Sequence, residues 1–273
     1  MDDVLGYAGK KVVVTGAASG MGEATAQVLV DLGADVTAID VNETKVGVQQ
    51  SLEVDLRDKG AISAAVAEIK GPIHALFNVA GLPGPPFPDL DVMLVNFVGA
   101  RHLIESVVPS MPAGSAVAYV SSAAGVGWQG SLENLNPLVQ SDGFDAGKAW
   151  CEANTDLIAP SSYLLSKQAI MAWTAWRCVG FMKDHGVRLN CTAPGPTSTA
   201  MMPFFHESAG KALVDMAQGP VGRYSTAEEQ AWPLVCLNSP RLSYVVGETF
   251  YTDGGFFAAL QTGQVDFSAL TGA

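Results

Sequence analysis

Five short stretches of the chain, residues 11–15, 34–39, 73–77, 115–120 and 187–191, are largely apolar, with β-branched residues in most of them. Each is too short for a helix and fits a buried strand. Longer stretches between them, residues 23–32, 61–70, 92–108 and 163–183, carry apolar positions at helical spacing. In the last these are Ala169, Ile170, Trp173, Trp176 and Val179. The alternation predicts an α/β fold: a doubly wound parallel sheet with helices on both faces. No linker divides it, so residues 1–273 are expected to form one domain.

Two stretches break the rhythm. Residues 126–162 lie between two expected elements, and residues 193–224 contain Pro194, Gly195, Pro196 and the run Met201-Met202-Pro203-Phe204-Phe205. Long connections in a compact domain usually carry function, so 126–162 reads as an insertion or lid and 193–224 as a substrate loop.

The first strand leads into Thr15-Gly16-Ala17-Ala18-Ser19-Gly20-Met21-Gly22 and then the first helix. Glycines here permit a tight turn and close approach of a phosphate to free N–H groups at a helix N-terminus, the requirement of a dinucleotide site. Asp40 ends the second strand, 18 residues after Gly22. A carboxylate there accepts hydrogen bonds from both adenosine ribose hydroxyls and repels a 2′-phosphate. Ala17, Ala18, Val41 and Asn42 offer no basic side chain to such a phosphate, so NAD is the expected cofactor.

Tyr163 and Lys167 are four apart, on one face of a helix. A phenol titrates at about 10, too high for a base at neutral pH, and a nearby ammonium favours phenolate. These residues fall into a wider order: Gly16-x-x-x-Gly20-x-Gly22, Asn78-Val79-Ala80-Gly81, Asn96, Ser121-Ser122, Tyr163-Leu164-Leu165-Ser166-Lys167, Pro194-Gly195 and Asp253-Gly254-Gly255. In that order they resemble the short-chain dehydrogenases/reductases over nearly the whole chain. The long segment between Ser122 and Tyr163 and the short one from Val41 to Gln50 are similar to those of the bacterial 3α-hydroxysteroid dehydrogenase/carbonyl reductase and coniferyl-alcohol dehydrogenase subgroup.

The resemblance implies a Rossmann-type fold and NAD-dependent interconversion of an alcohol with its ketone or aldehyde. It implies that Tyr163 exchanges the proton, Lys167 tunes it and bonds the nicotinamide ribose, Ser122 holds the substrate oxygen, and Asn96 supports a water-linked proton path. Ser121 is the alternative serine, since adjacent side chains on a strand face opposite ways. The cofactor set it implies is Gly16, Ser19, Gly20, Met21, Gly22, Asp40, Asp55, Leu56, Asn78, Ala80, Gly81, Tyr163, Lys167, Pro194, Gly195, Thr197 and Thr199. It implies a homodimer or homotetramer. A non-catalytic NAD(H)-binding sensor of the same fold is the rival reading, which turnover of an alcohol with NAD would exclude.

Charge narrows the partners. The chain has 15 Lys+Arg against 27 Asp+Glu, a formal net charge of −12, which disfavours nucleic acid. No apolar run nears the roughly 18 residues that span a bilayer, and Met1, Asp2 and Asp3 do not begin a signal peptide, so a cytoplasmic protein is expected, with no membrane partner. Cys151, Cys178, Cys191 and Cys236 form no C-x-x-C pair, and with His74, His102, His185 and His206 scattered no metal site is expected. Trp128, Leu132, Leu135, Leu138, Phe144 and Trp150 of the insertion, with Met201, Met202, Phe204 and Phe205 of the loop, are expected to enclose the substrate, Trp128, Met201 and Phe204 foremost. The alternative for these apolar residues is a satellite core or a subunit contact. No arginine lies in 126–162 to clamp a carboxylate or phosphate, so a small, bulky and neutral hydrophobic alcohol or ketone/aldehyde is expected.

Overall fold

The structure, a computed structural model, describes residues 3–159 and 161–265. Among them seven strands form one parallel sheet: β1 (Lys11–Thr15), β2 (Asp35–Asp40), β3 (Gln50–Glu53), β4 (Ala75–Asn78), β5 (Ala116–Val120), β6 (Arg188–Pro194) and β7 (Thr249–Thr252). The spatial order is β3-β2-β1-β4-β5-β6-β7. The chain reverses direction across the sheet between β1 and β4, which opens a crevice at the carboxyl ends of those strands. The five apolar stretches became the interior strands. The edges, β3 and β7, are partly exposed and have no comparable apolar signature, because an edge strand is covered on fewer sides.

One face of the sheet packs against α1 (Gly20–Asp31) and α11 (Ala227–Asn238), with Val12, Val14, Ala26, Leu29, Leu234 and Val235 buried between them. A capping box joins Thr226 and Glu229 at the start of α11, while the internal Pro233 and the neighbouring acids hide its apolar face in the sequence. The other face carries α2 (Lys59–Glu68), a long helical stretch and α8 (Ser162–His185), around a larger core that includes Leu76, Phe97, Leu103, Tyr119, Trp173 and Phe181. The long stretch starts earlier than expected, as α3 (Asp89–Met93), widens into a π-helical turn at Leu94–Gly99, and continues as α4 (Ala100–Val107).

By length and composition Asp89–Ser110, which contains an 18-residue window of mean hydropathy 1.2, could cross a bilayer, which corrects the expectation that no run approaches that length. Its apolar window is 72% buried inside the domain, so its hydropathy reflects a core helix.

The insertion folds as α5 (Leu132–Val139), α6 (Gly143–Ala153) and α7 (Thr155–Ile158). Leu135, Leu138, Phe144 and Ile158 are buried in the larger core, with Trp128, Leu132 and Trp150 packed against it. Leu135, Leu138 and Phe144 thus take the core role that was the alternative reading, while Trp128, Leu132 and Trp150 are only partly buried at its edge. Arg101 of α4 anchors them. It is wholly buried and donates from Nη1 to Leu138 O at 3.0 Å and Ser141 Oγ at 3.1 Å, and from Nη2 to Gly143 O at 2.5 Å. A Cβ on Gly147 would stand 2.8 Å from Arg101 Nη2, so α6 reaches this anchor only through a glycine. Residues 193–224 run from the end of β6 into α9 (Met202–Ala209) and α10 (Lys211–Met216).

Candidate active site

The glycine turn is built by close approaches. Gly16 has φ +70°, and a Cβ there would lie 2.8 Å from the Ala80 backbone. A Cβ on Gly22 would lie 2.0 Å from Gly16 O, so α1 can start against the turn only with glycine at that position. Ser19 precedes α1 in extended conformation and its side chain makes no cap hydrogen bond. Asp40 ends β2 and accepts from Ala18 N and Asn42 N, each at 3.0 Å, which ties the strand end to the turn. Thr44, not anticipated from the sequence, closes the other side by donating to Ala17 O at 2.9 Å. Thr15 and Asn78 stand side by side in β1 and β4. The Thr15 hydroxyl donates to Asn78 Oδ1 at 3.1 Å and accepts from Val79 N and Ala80 N. Asn78 therefore braces the strands while Ala80 and Gly81 border the turn. A cradle this narrow, at a helix N-terminus beside a strand-end carboxylate, fits a dinucleotide pyrophosphate and ribose.

The other expected cofactor residues divide. A Cβ on Gly20 would touch Thr199 Cγ2 at 3.3 Å, so the substrate loop returns to the glycine turn there. Gly195 follows Pro194 and packs against the backbone of Asp253, its N–H donating to Thr252 O at 3.2 Å. The Thr197 hydroxyl instead meets Gly195 O and Ser225 Oγ, each at 3.0 Å, and joins the two ends of the loop. Met21 packs against the smaller core and Leu56 is buried in the larger one. Asp55 is engaged by Arg57, which also bridges to Asp91 on α3 at 2.6 Å; that bond with Arg57 holds the Asp55 carboxyl below its ordinary range.

Four expected side chains converge beyond the turn. Ser121 and Ser122 follow β5 and face opposite ways. Ser121 Oγ donates to Lys167 O at 2.7 Å and is consumed in holding α8, whereas the Ser122 hydroxyl accepts from Ala124 N at 3.1 Å and lies near enough to the Tyr163 hydroxyl to favour its ionised form. Lys167 lies one helical turn after Tyr163; its Nζ donates to Val120 O at 3.1 Å and stands 5.5 Å from the centre of the Tyr163 ring. Asn96 is buried in the π-helical turn. Its Oδ1 accepts from Leu82 N at 2.6 Å, and its Nδ2 donates to Leu82 O at 3.0 Å and Ser166 Oγ at 3.1 Å. Gly81 lets Asn96 and Lys167 close in, since a Cβ there would lie 3.2 Å from Asn96 Oδ1 and 3.6 Å from Lys167 Nζ.

Burial governs the protonation of the pair. It pushes the Tyr163 phenol up to about 12, the Ser122 hydroxyl opposing part of the rise, and it pushes the Lys167 ammonium down to about 8. The direction is opposite to the expected lowering, and Ser122, not the ammonium, is the neighbour that opposes the rise. The hydroxyl is a proton donor at neutral pH, with Ser122 the neighbour that favours its ionised form.

Aromatic side chains wall the space in front of Tyr163. Phe205 of α9 lies on the Tyr163 ring at 5.0 Å between centroids, and Phe204 meets Phe87 edge-on at 6.5 Å. Phe87 belongs to the proline-rich segment 82–88, whose Gly84 packs against Tyr163 Cβ. The sequence reading named Phe204 and Phe205 but missed Phe87, although a phenylalanine between prolines so soon after Gly81 was its signal. Met202 is buried and Met201 half-buried at the base of α9. Among the described residues no group of three His, Cys, Asp or Glu is placed to hold a metal ion.

Known proteins resemble this chain over most of its length. The family described as short chain dehydrogenase matches residues 10–132, and the one described as Enoyl-(Acyl carrier protein) reductase matches residues 152–257. Coniferyl-alcohol dehydrogenase of Pseudomonas sp. (strain HR199 / DSM 7063) is 31% identical over 90% of this chain and 96% of its own. The 3-alpha-hydroxysteroid dehydrogenase/carbonyl reductase of Comamonas testosteroni is 29% identical over 93% of this chain and 98% of its own. Among solved structures, the 3-alpha-hydroxysteroid dehydrogenase from Pseudomonas sp. B-0831 complexed with NADH superposes with a TM-score of 0.80 at 24% identity, covering 94% of this chain and 100% of that one.

Proposed function

This chain belongs to the short-chain dehydrogenase/reductase family, and from that premise we propose that it interconverts a bulky, neutral, hydrophobic alcohol, secondary or aryl-allylic, and its ketone or aldehyde with NAD. One observation carries the reading: Ser122 lies beside the Tyr163 hydroxyl, Phe205 lies against the Tyr163 ring at 5.0 Å between centroids, and the Lys167 ammonium stands 5.5 Å from the centre of that ring. In reduction both hydroxyls donate to the carbonyl oxygen, and Tyr163 gives its proton as the alkoxide forms; in oxidation it takes the proton back. Gly16, Ser19, Gly20, Met21, Gly22, Asp40, Ala80, Gly81, Lys167, Pro194, Gly195 and Thr199 would hold the dinucleotide. Bound there, a nicotinamide cofactor supplies or accepts the hydride.

The preference for NAD rests on Asp40, which keeps a carboxylate at the strand end where a 2′-phosphate would sit. Asp40→Ala is expected to lower kcat/KM with NAD by about tenfold or more and to narrow the gap to NADP, because ribose acceptors and repulsion leave together. Wild-type enzyme with the higher kcat/KM on NADP would overturn the assignment.

The substrate class draws on three supports. Phe87, Phe204 and Phe205 present ring faces and edges to the space before Tyr163. Arg223, at the end of the substrate loop, is paired with Glu229 at 2.6 Å, which leaves no strong attraction for an anionic substrate. The two curated relatives are named for an aryl-allylic alcohol and a hydroxysteroid. An enoyl reductase is not adopted, because Tyr163 and Lys167 are four residues apart, without that group's wider spacing. Absorbance of NADH would be followed over a panel of alcohols. Higher kcat/KM on bulky ring-bearing alcohols than on small polar ones supports the reading; equal efficiency on both refutes the substrate class, and no turnover of any alcohol refutes the enzyme. All four cysteines are free thiols, and we place the protein in a reducing, cytoplasmic setting as a homodimer or homotetramer. Sedimentation of a monomer alone would reject the oligomer.

A further inference from the structure

Tyr119 takes no part in the chemistry just described, yet its hydroxyl reaches the catalytic region. It lies on β5, wholly buried, and donates to the main-chain carbonyl of Asn96. We infer that Tyr119 is a positioning residue for Asn96, holding it from behind through that carbonyl so that its carboxamide faces Leu82 and Ser166; the inference rests on the functional reading above.

Three observations carry it. Asn96 sits in the π-helical turn Leu94–Gly99, where the register of the helical hydrogen bonds is disturbed and a carbonyl gains from an outside donor. The carboxamide at the other end of the same residue is held at 2.6–3.1 Å by Leu82 and Ser166, and the Ser166 hydroxyl donates to Tyr163 O at 2.7 Å. A line of hydrogen bonds therefore runs from Tyr119 through Asn96 and Ser166 to the backbone of the proton-transfer residue. Finally, the ring and the hydroxyl of Tyr119 have separate partners. The ring packs edge-on against Trp173 at 6.3 Å, and Trp173 also meets Phe97 and Phe181, so ring packing belongs to the core and the hydroxyl to Asn96. Burial pushes the phenol well above its ordinary range, so it remains a donor at every working pH.

Tyr119→Phe removes the hydroxyl and keeps the ring. Its kcat is expected to fall about tenfold, with KM for the alcohol and Kd for NADH within about twofold of wild type, because binding surfaces are untouched while Asn96 loses its rear support. Trp173→Phe is the control: it disturbs the ring packing and keeps the hydroxyl, so Tm should drop while kcat stays within about twofold. A second readout needs no turnover. The Leu82 N–H donates to Asn96 Oδ1, so its amide hydrogen exchange in Tyr119→Phe should speed up relative to wild type, with exchange along α8 unchanged. Leu82 exchange equal to wild type overturns the inference whatever the activity, as does a Tyr119→Phe enzyme with lowered Tm and undiminished kcat. Wild-type protein inactive on every alcohol sinks the functional reading instead, and the exchange experiment still decides the placement of Asn96.

Discussion

Replacing Tyr163 with Phe is expected to reduce kcat by about 10²–10⁴-fold, the range that a positioned acid or base contributes, while NADH binding changes by no more than about threefold. Phe retains the ring on which Phe205 lies, so the substrate loop keeps its contact and the loss isolates the oxygen. With burial pushing this phenol up to about 12, oxidation depends on a phenolate that is scarce at neutral pH. In wild type, kcat for oxidation should thus rise from about pH 7 to about pH 9, while kcat for reduction, which uses the protonated form, should not rise. Steady-state kinetics in both directions and fluorescence titration with NADH check these points. Near-wild-type turnover in the variant would dispose of the proton-transfer role.

Arg101→Met is expected to produce the largest loss of stability, although the residue touches no reacting group. The guanidinium is wholly buried and serves Leu138 O, Ser141 Oγ and Gly143 O, with Glu105 Oε2 3.9 Å from its Nε and the Phe97 ring 5.4 Å beneath it. Methionine fills much of the volume but leaves two buried carbonyls without this donor. Leu138 O keeps the Ser141 hydroxyl, so the loss is that of two hydrogen bonds from a charged donor, about 1.5–3 kcal/mol each and about 3–6 kcal/mol together. In a domain of this size that is a fall in Tm of roughly 5–20 °C. Glu105 keeps Arg177 at 3.8 Å, so the variant does not strand that carboxylate. Lysine should not rescue, because a single ammonium cannot span three acceptors fixed for a planar fork. Calorimetry gives the Tm, and limited proteolysis should cut first within residues 126–162. A Tm within about 2 °C of wild type would show that the insertion is held by apolar packing alone.

The sequence by itself determined the features written among near neighbours. Continuous apolar runs alternating with helical spacing specify buried strands and covering helices, since burial on one or two faces is the direct cause of each pattern. The glycine turn was legible because a Cβ at Gly22 would run into Gly16 O, a constraint confined to seven residues. Tyr163 and Lys167 were legible because a helix places positions four apart on one face.

What only the tertiary structure decided joins residues far apart in the chain. Ser121 and Ser122 differ in role because α8 offers Lys167 O, 46 residues on, to the first and brings the Tyr163 hydroxyl beside the second. Edge strands β3 and β7 are specified by their neighbours' open backbones more than by their own partly exposed side chains. The apolar residues of the insertion could equally have covered a substrate or joined the core, and a buried arginine 42 residues before Gly143 settles which. The direction of the Tyr163 shift follows the same rule. A lysine four residues away argues for lowering the phenol, but the desolvation that raises it comes from the packing of the whole fold around the ring, and over that short distance burial is the stronger effect.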